Sequence, residues 1–337
     1  MDTLKVHTLQ AGNVRADITA LGARIMRLTI GGTDVVLGFD HAADYMPEWH
    51  LSDFGAVIGR YANRLAKGRI ALDWDILQLP RNDGPNCLHG GPRGWQYSLY
   101  DIRSASASRL ELAMVSPDGD QGFPGTVQVR VVYTLDSDGS LRVDYRAETD
   151  RPTVINMTNH SYFNLDGAVP AEDKTLGTVH NHLLQIDADR YTPVNKVSIP
   201  LGKHDSVEGT PFDFRQAKPI GRDIDADNAQ LHIGHGYDHN YVLNRPSLQT
   251  PSATLASTVT GITLQIFTTA PGMQLYTGNY LDGVAGKAGI RYPARSAVCL
   301  ETQQYPDSPN RSWPESTGRL YPDSPFESTT VYKLTQQ

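Results

Sequence analysis

Hydrophobic and polar residues alternate along several stretches of the chain, which is the pattern of strands that bury one face. The clearest alternating runs are residues 69–76, 127–135 and 141–149. Shorter runs of the same kind are residues 25–30, 109–115, 262–268 and 297–301. Each run is predicted to form a half-buried strand.

Turn residues between these runs predict how two of the strands pair. Residues 137–140 read Ser-Asp-Gly-Ser, a hairpin-type turn, so strands 127–135 and 141–149 should pair antiparallel. The best candidate for a longer helix is residues 53–65, but Gly55 and Gly59 weaken it. The pattern therefore predicts an all-β antiparallel sandwich with little helix.

Composition narrows the class of protein. The chain has 337 residues, a formal net charge of -7 and two cysteines, Cys87 and Cys299, which we expect to be reduced. A mildly acidic chain without a basic cluster offers no footprint for nucleic acid or an anionic membrane. The N-terminus has no apolar stretch of signal-peptide length. We expect one domain over residues 1–337, with no nucleic-acid or membrane partner.

Several chemistries have no support in the sequence. No P-loop, no Gly-x-Gly-x-x-Gly after a strand and no Gly-x-Ser-x-Gly occurs. His232, His235 and His239 have the spacing of metal ligands, but the glycines among them disfavour a rigid helix, and His180 and His182 form a second such pair. We interpret these histidines as solvated or locally hydrogen-bonded loop residues, so no metal site is predicted.

Polar residues in aromatic surroundings point to a sugar site. Tyr and Trp rings cover the apolar face of a pyranose, while carboxylates, amides, guanidinium and imidazole bind its hydroxyl groups. Segments of this composition are residues 59–64, 86–91, 158–165, 236–240, 274–279 and 299–303.

These segments, in this order, resemble the aldose 1-epimerase (galactose mutarotase) family over nearly the whole chain. The Gly-Phe-Pro-Gly of residues 122–125, the Gly-Thr-Pro-Phe-Asp-Phe of 209–214 and the Leu-Glu-Thr-Gln of 300–303 make the likeness specific. The resemblance implies a galactose mutarotase-like supersandwich with the sugar in an open cleft. It also implies an isomerase that interconverts the α and β anomers of a free aldohexose such as galactose or glucose.

The resemblance also implies roles for individual residues. His160 matches the general acid of the family, and Glu301 matches its general base. The positions that match its sugar-binding residues are Asn63, Arg64, His89, Asp238 and Gln274.

The chemistry is sound on its own terms. Opening a cyclic hemiacetal needs one base for the anomeric hydroxyl and one acid for the ring oxygen. A carboxylate such as Glu301 is ionised at neutral pH unless strongly desolvated, and an imidazolium near a carboxylate can stay charged. The protons balance, so neither a redox cofactor nor a metal is required.

Other functions remain open from sequence. A glycoside hydrolase or lyase could use Glu301 and Asp238 as its carboxylate pair, and a non-catalytic carbohydrate-binding module could use the same aromatic cleft. Glycosylation sequons occur at Asn156, Asn159 and Asn310, and a glycan at Asn159 would crowd His160. We therefore expect a cytoplasmic protein, acting as a monomer or homodimer.

Overall fold

The structure is a computed structural model that describes residues 4–48, 52–73, 75–170 and 175–337. Strands make up 43% of it and helices 10%. The α-helix in these ranges is α1 (Ala229–Gly234). Short 3₁₀ helices are Ala42–Tyr45, Ala66–Gly68, Trp95–Tyr97, Asp120–Gly122, Val179–Asn181, Ile220–Arg222, Lys287–Gly289 and Ser308–Asn310. No helix in the described part of the chain is long and apolar enough to cross a membrane.

The strands follow one another along the whole chain. The first half contains β1 (Val6–Ala11), β2 (Val14–Thr19), β3 (Arg24–Ile30), β4 (Thr33–Asp34), β5 (Val57–Ile58), β6 (Arg64–Leu65), β7 (Arg69–Leu72), β8 (Asp75–Gln78), β9 (Cys87–Leu88), β10 (Asp101–Ala105), β11 (Arg109–Ser116), β12 (Val127–Leu135), β13 (Ser140–Thr149), β14 (Thr153–Val154) and β15 (Thr158–Asn159). The second half contains β16 (Leu183–Ile186), β17 (Arg190–Thr192), β18 (Asp205–Ser206), β19 (Lys218–Pro219), β20 (Asp238–Val242), β21 (Ala253–Ala256), β22 (Ile262–Thr268), β23 (Gly272–Tyr276), β24 (Val284–Ala285), β25 (Arg291–Tyr292), β26 (Cys299–Gln303), β27 (Arg319–Leu320) and β28 (Phe326–Gln336).

Two large sheets organise these strands. The larger has nine strands in the order β10-β11-β12-β13-β28-β22-β21-β16-β19, and the other has five in the order β18-β17-β20-β23-β26. The predicted hairpin is confirmed, because β12 and β13 pair antiparallel from Leu135 opposite Leu141 to Val127 opposite Thr149. The sandwich fold class predicted from sequence is also confirmed.

One continuous apolar core joins the sheets. It combines side chains of the nine-stranded sheet, such as Val131 and Leu264, with side chains of the five-stranded sheet, such as Leu275 and Leu300. The four-stranded sheet β1-β2-β3-β4 adds Ile18 and others to the same core. Because one face of the five-stranded sheet is buried in this way, its other face is available for polar side chains.

The prediction of a single strand over residues 69–76 is wrong. The segment forms a hairpin of β7 and β8, with Leu72 opposite Asp75. Asp73 has a φ of 51°, a left-handed conformation that Asp tolerates in turns. Ile76 is consequently 65% exposed. Trp74, which belongs to the alternating run, lies outside the described residues.

The weak helical candidate at residues 53–65 is also not helical. This segment contains β5 and β6, joined by turns, and β5 pairs with β15. Both cysteines are free and buried, as expected from their number.

Candidate active site

The outer face of the five-stranded sheet carries one side of a polar cleft. Gln274 lies directly opposite Glu301 on the neighbouring strand, and Asp238 lies opposite Tyr276. Directly opposed residues in an antiparallel pair share a face, and residues two apart on one strand share it as well. We call Asp238, Gln274, Tyr276 and Glu301 the sheet wall.

The facing side is built from loops and very short strands. We call Asp53, Asn63, Arg64, His89 and His160 the loop wall. Arg64 is placed by the pairing of β6 with β9, in which it lies opposite Leu88. Asn63 and His89 have φ values of 65° and 51°, so the chain turns sharply at both residues.

His160 follows β15 and is fixed by its backbone. Its N–H donates to Ala56 O at 2.8 Å, and its carbonyl accepts from the N–H of Gly55 at 2.9 Å. Its ring stacks on Tyr162 with a centroid distance of 5.0 Å and an interplanar angle of 12°, and it meets the ring of Tyr276 edge-on. The imidazole therefore has a defined orientation toward the sheet wall.

Together the walls enclose a cleft of about 150 Å³. All seven residues that the sequence singled out line it. The complete lining is Asp53, Asn63, Arg64, Leu88, His89, His160, Tyr162, Asp238, Gln274, Tyr276, Tyr280 and Glu301. Tyr162 and Tyr276 belong to the sugar-type segments, in which no role was assigned to them. Asp53 was missed, because nothing in its immediate sequence marks a site.

Glu301 and His160 face each other across this cleft. Glu301 Oε1 lies 3.6 Å from His160 Nε2. The two residues are 2% and 4% exposed, respectively. Burial raises the pKa of Glu301 to about 7, and the nearby His160 partly opposes this shift. The carboxyl group can therefore both lose and regain a proton near neutral pH.

His89 is held in one tautomer. The N–H of Asn63 donates to His89 Nδ1 at 3.1 Å, so the ring proton is on Nε2. Burial lowers the pKa of His89 to about 3, so the ring is neutral at physiological pH. His89 can therefore donate a hydrogen bond from Nε2 but carries no charge.

Asp238 already has partners within the protein. It accepts a hydrogen bond from Gln274 Nε2 at 2.6 Å, and its Oδ2 lies 4.0 Å from Arg64. Arg64 also donates to Asp83 at 2.7 Å. Burial lowers the pKa of Arg64, but Asp238 and Asp83 outweigh it and the net shift is upward. This network holds a charged guanidinium and a carboxylate side by side in the cleft.

The histidines with metal-like spacing are separated in the structure. His232 is 64% exposed, whereas His239 is buried and packs on Phe212. Among the described residues, the three side chains that could together hold a metal ion are Asp53, His89 and His160, whose donor atoms lie within 4.8 Å of one another. They belong to the cleft itself.

Comparisons with known proteins identify the family to which the sequence is similar. The family model described as aldose 1-epimerase matches residues 5–333. The chain is similar to a galactose mutarotase of Bos taurus, with 40% identity over 98% of this chain and 94% of that protein. It is also similar to an aldose 1-epimerase of Escherichia coli K12, with 38% identity over 94% of this chain and 89% of that protein.

Solved structures of similar proteins share the fold. An aldose epimerase homologue from C. elegans superposes with a TM-score of 0.87 at 28% identity, and each chain is covered to 99%. A galactose 1-epimerase from Lactobacillus acidophilus superposes with a TM-score of 0.83 at 27% identity, again with 99% of each chain covered.

Proposed function

The chain belongs to the aldose 1-epimerase family, and we propose that it is a mutarotase that interconverts the α and β anomers of free aldohexoses such as galactose or glucose. The observation that carries the proposal is the buried Glu301 and His160 pair, 3.6 Å apart in a cleft lined by hydrogen-bonding side chains. Hemiacetal opening requires a base at the anomeric hydroxyl and an acid at the ring oxygen. Both oxygens are bonded to C1, so the two groups must lie close together.

In the proposed reaction, Glu301 takes the proton from the anomeric hydroxyl while His160 gives a proton to the ring oxygen. The bond between C1 and the ring oxygen breaks, and C1 becomes an aldehyde. Rotation about the C1–C2 bond then presents the opposite face of the aldehyde. The former ring oxygen then attacks C1 and closes the ring while His160 removes its proton. Glu301 returns its own proton to O1. Each group ends in its starting state, so the cycle uses no cofactor.

The electrostatics of the cleft suit this exchange. A pKa of Glu301 near 7 means that the carboxylate and the carboxylic acid differ little in free energy at neutral pH. Both directions of proton transfer are then accessible. Asn63, Arg64, His89, Asp238 and Gln274 are assigned to hold the hydroxyl groups that do not react.

Two other functions fit the cleft less well. A glycosidase would need Asp238 as the partner of Glu301, but Asp238 is engaged by Gln274 and lies near Arg64, which suits a binding carboxylate. A non-catalytic binding module gains nothing from burying a carboxylate opposite an imidazole, since that burial costs free energy.

Polarimetry tests the proposal directly. Freshly dissolved α-glucose or α-galactose should reach its equilibrium rotation faster with the protein than without it. If neither sugar reaches equilibrium faster and the protein releases sugar from a glycoside, the protein is a hydrolase. Binding without any acceleration would point to a binding module. Dialysis against a chelator should leave the accelerated rate unchanged.

We also propose a single-domain protein of the cytoplasm. One core includes residues from Leu9 to Leu334, which supports a single folding unit. The side-chain amides of Asn156, Asn159 and Asn310 donate hydrogen bonds to backbone carbonyls. A glycan on any of these nitrogens would disrupt those bonds, which supports a compartment without glycosylation.

A further inference from the structure

Asp53 is a third carboxylate in the cleft, beside Asp238 and Glu301. It is partly exposed, lines the cleft, and has a carboxylate oxygen within 4.8 Å of ring nitrogens of His89 and His160. Its Oδ1 has no hydrogen-bond partner, and Asp53 forms no ion pair with the residues that the structure describes. Asp238, by contrast, is already bonded to Gln274.

The backbone on both sides of Asp53 is firmly held. Arg24 is fully buried, and its guanidinium donates to the carbonyls of Ser52 and Phe54. The N–H of Gly55 donates to the carbonyl of His160 at 2.9 Å, which ties this loop to the segment that carries the imidazole. Asp53 is therefore positioned before any ligand arrives, which lowers the entropic cost of using it for binding.

Asp53 and His89 together offer what one hydroxyl group needs. The carboxylate accepts a hydrogen bond, and His89 Nε2–H donates one, because His89 Nδ1 is occupied by the N–H of Asn63. A sugar hydroxyl both donates and accepts. An ammonium or a carboxylate on the ligand would satisfy only one of the two partners.

The position of His160 identifies the hydroxyl. This step rests on the proposed function, in which His160 gives its proton to the ring oxygen and Glu301 serves O1. The ring oxygen is bonded to C1 and C5, so with O1 assigned, the remaining hydroxyl beside it is the one on the C5 substituent, at C6. We propose that Asp53 accepts a hydrogen bond from the 6-hydroxyl group and so selects aldohexoses over 6-deoxyhexoses and aldopentoses.

Steady-state polarimetry with glucose and 6-deoxyglucose tests this role on the intact protein. Asp53→Ala should raise KM for glucose by about tenfold or more, since a charged hydrogen bond is lost, while kcat changes by less than about threefold. With 6-deoxyglucose, the parent and Asp53→Ala should agree in KM within about twofold. Asp101→Ala is the charge-matched control, because the Asp101 side chain is 74% exposed on the edge strand β10. It should leave KM and kcat unchanged for both sugars.

The inference is overturned if Asp53→Ala raises KM equally for both sugars, or leaves KM for glucose unchanged. Thermal unfolding of each variant shows whether it is folded. If the alanine variant does not fold, Asp53→Leu replaces it under the same criterion, because Leu fills a similar space and cannot accept a hydrogen bond. Accelerated mutarotation of both sugars by the parent protein supports the proposed function whatever the Asp53 variant does. A failure of the Asp53 role can therefore be told apart from a failure of the proposed function.

Discussion

The two walls of the cleft are built in different ways, although each contributes half of the proposed acid and base pair. The sheet wall comes from three adjacent strands, whose register alone brings Asp238, Gln274 and Glu301 to one face. The loop wall comes from segments with turns at Asn63 and His89 and from backbone bonds between loops. The comparison indicates that regular strand pairing places Glu301, the proposed base, whereas local backbone geometry places His160, the proposed acid.

The difference predicts how each wall responds to change. A side chain on the sheet wall can be replaced without disturbing the register, because backbone hydrogen bonds set the register. The loop wall depends on close approaches. A Cβ added at Gly55 would lie 1.9 Å from the carbonyl oxygen of Ile25, at a φ of +68°. Substitutions there should therefore affect folding as well as chemistry.

The largest effect is expected when either member of the acid and base pair is removed. Glu301→Gln keeps the shape of the sheet wall, and His160→Asn removes the acid from the loop wall. A positioned acid or base contributes about 10²–10⁴-fold, so each change should lower kcat by at least about a hundredfold. Polarimetry at saturating sugar measures this. A near-normal kcat in either variant would remove that residue from its role.

The next largest effect is a loss of folding stability when the backbone of the loop wall is disturbed. Gly55→Ala should cost about 2–5 kcal/mol of folding free energy, from the left-handed backbone conformation together with the overlap. Gly119→Ala is the matched control, because Gly119 has a φ of +81° but no atom within 4 Å of an added Cβ. It should cost about 1–2 kcal/mol. Urea denaturation measures both, and equal losses would contradict the close approach at Gly55.

Much of the strand framework behind the two walls could be predicted from the sequence. Alternation over residues 127–135 and 141–149 predicted a real hairpin, because half-buried strands leave a period-two signal. The same signal misled at residues 69–76, since Asp73 turns the chain back and no apolar spacing records a turn of one or two residues. The turn forms at Asp73 because Asp tolerates the left-handed backbone conformation found there.

The loop wall was predictable only in part. His89 and His160 belong to motifs that resemblance could identify, but Asp53 lies beside them only because of distant partners. Arg24 fixes the loop that carries Asp53, and the two are far enough apart in sequence that no pattern links them. A buried arginine that donates to backbone carbonyls leaves no local signature, so this part of the site required the structure.

A smaller effect is expected for binding through the sheet wall. Asp238 should hold hydroxyl groups equally well before and during ring opening, so its loss should appear in KM. A charged hydrogen bond is worth about 1.5–3 kcal/mol, and Asp238→Ala should therefore raise KM about ten- to a hundredfold. Its kcat should fall less than that of Glu301→Gln. If Asp238→Ala abolished kcat while Glu301→Gln were mild, the roles of the two carboxylates would be exchanged.

The smallest effect concerns pH and engages both walls. Burial raises the pKa of Glu301 to about 7, with Asp238 raising it further and Arg64 opposing. The base must be ionised, so kcat/KM should fall about tenfold for each pH unit below 7. Asp238→Asn removes a negative charge and should move this limb to lower pH. Arg64→Gln removes a positive charge and should move it to higher pH, each by less than about one unit.

These opposite shifts identify the group whose titration causes kcat/KM to fall at low pH. Rates are measured by polarimetry at each pH, after subtraction of the spontaneous rate in the same buffer. Shifts in opposite directions require a titrating group that senses both charges, and the pKa of Glu301 is raised by Asp238 and lowered by Arg64. The limb should also vanish from the residual activity of Glu301→Gln. If it persisted there at the same pH, another group would control the reaction, and Glu301 would lose its assignment as the base.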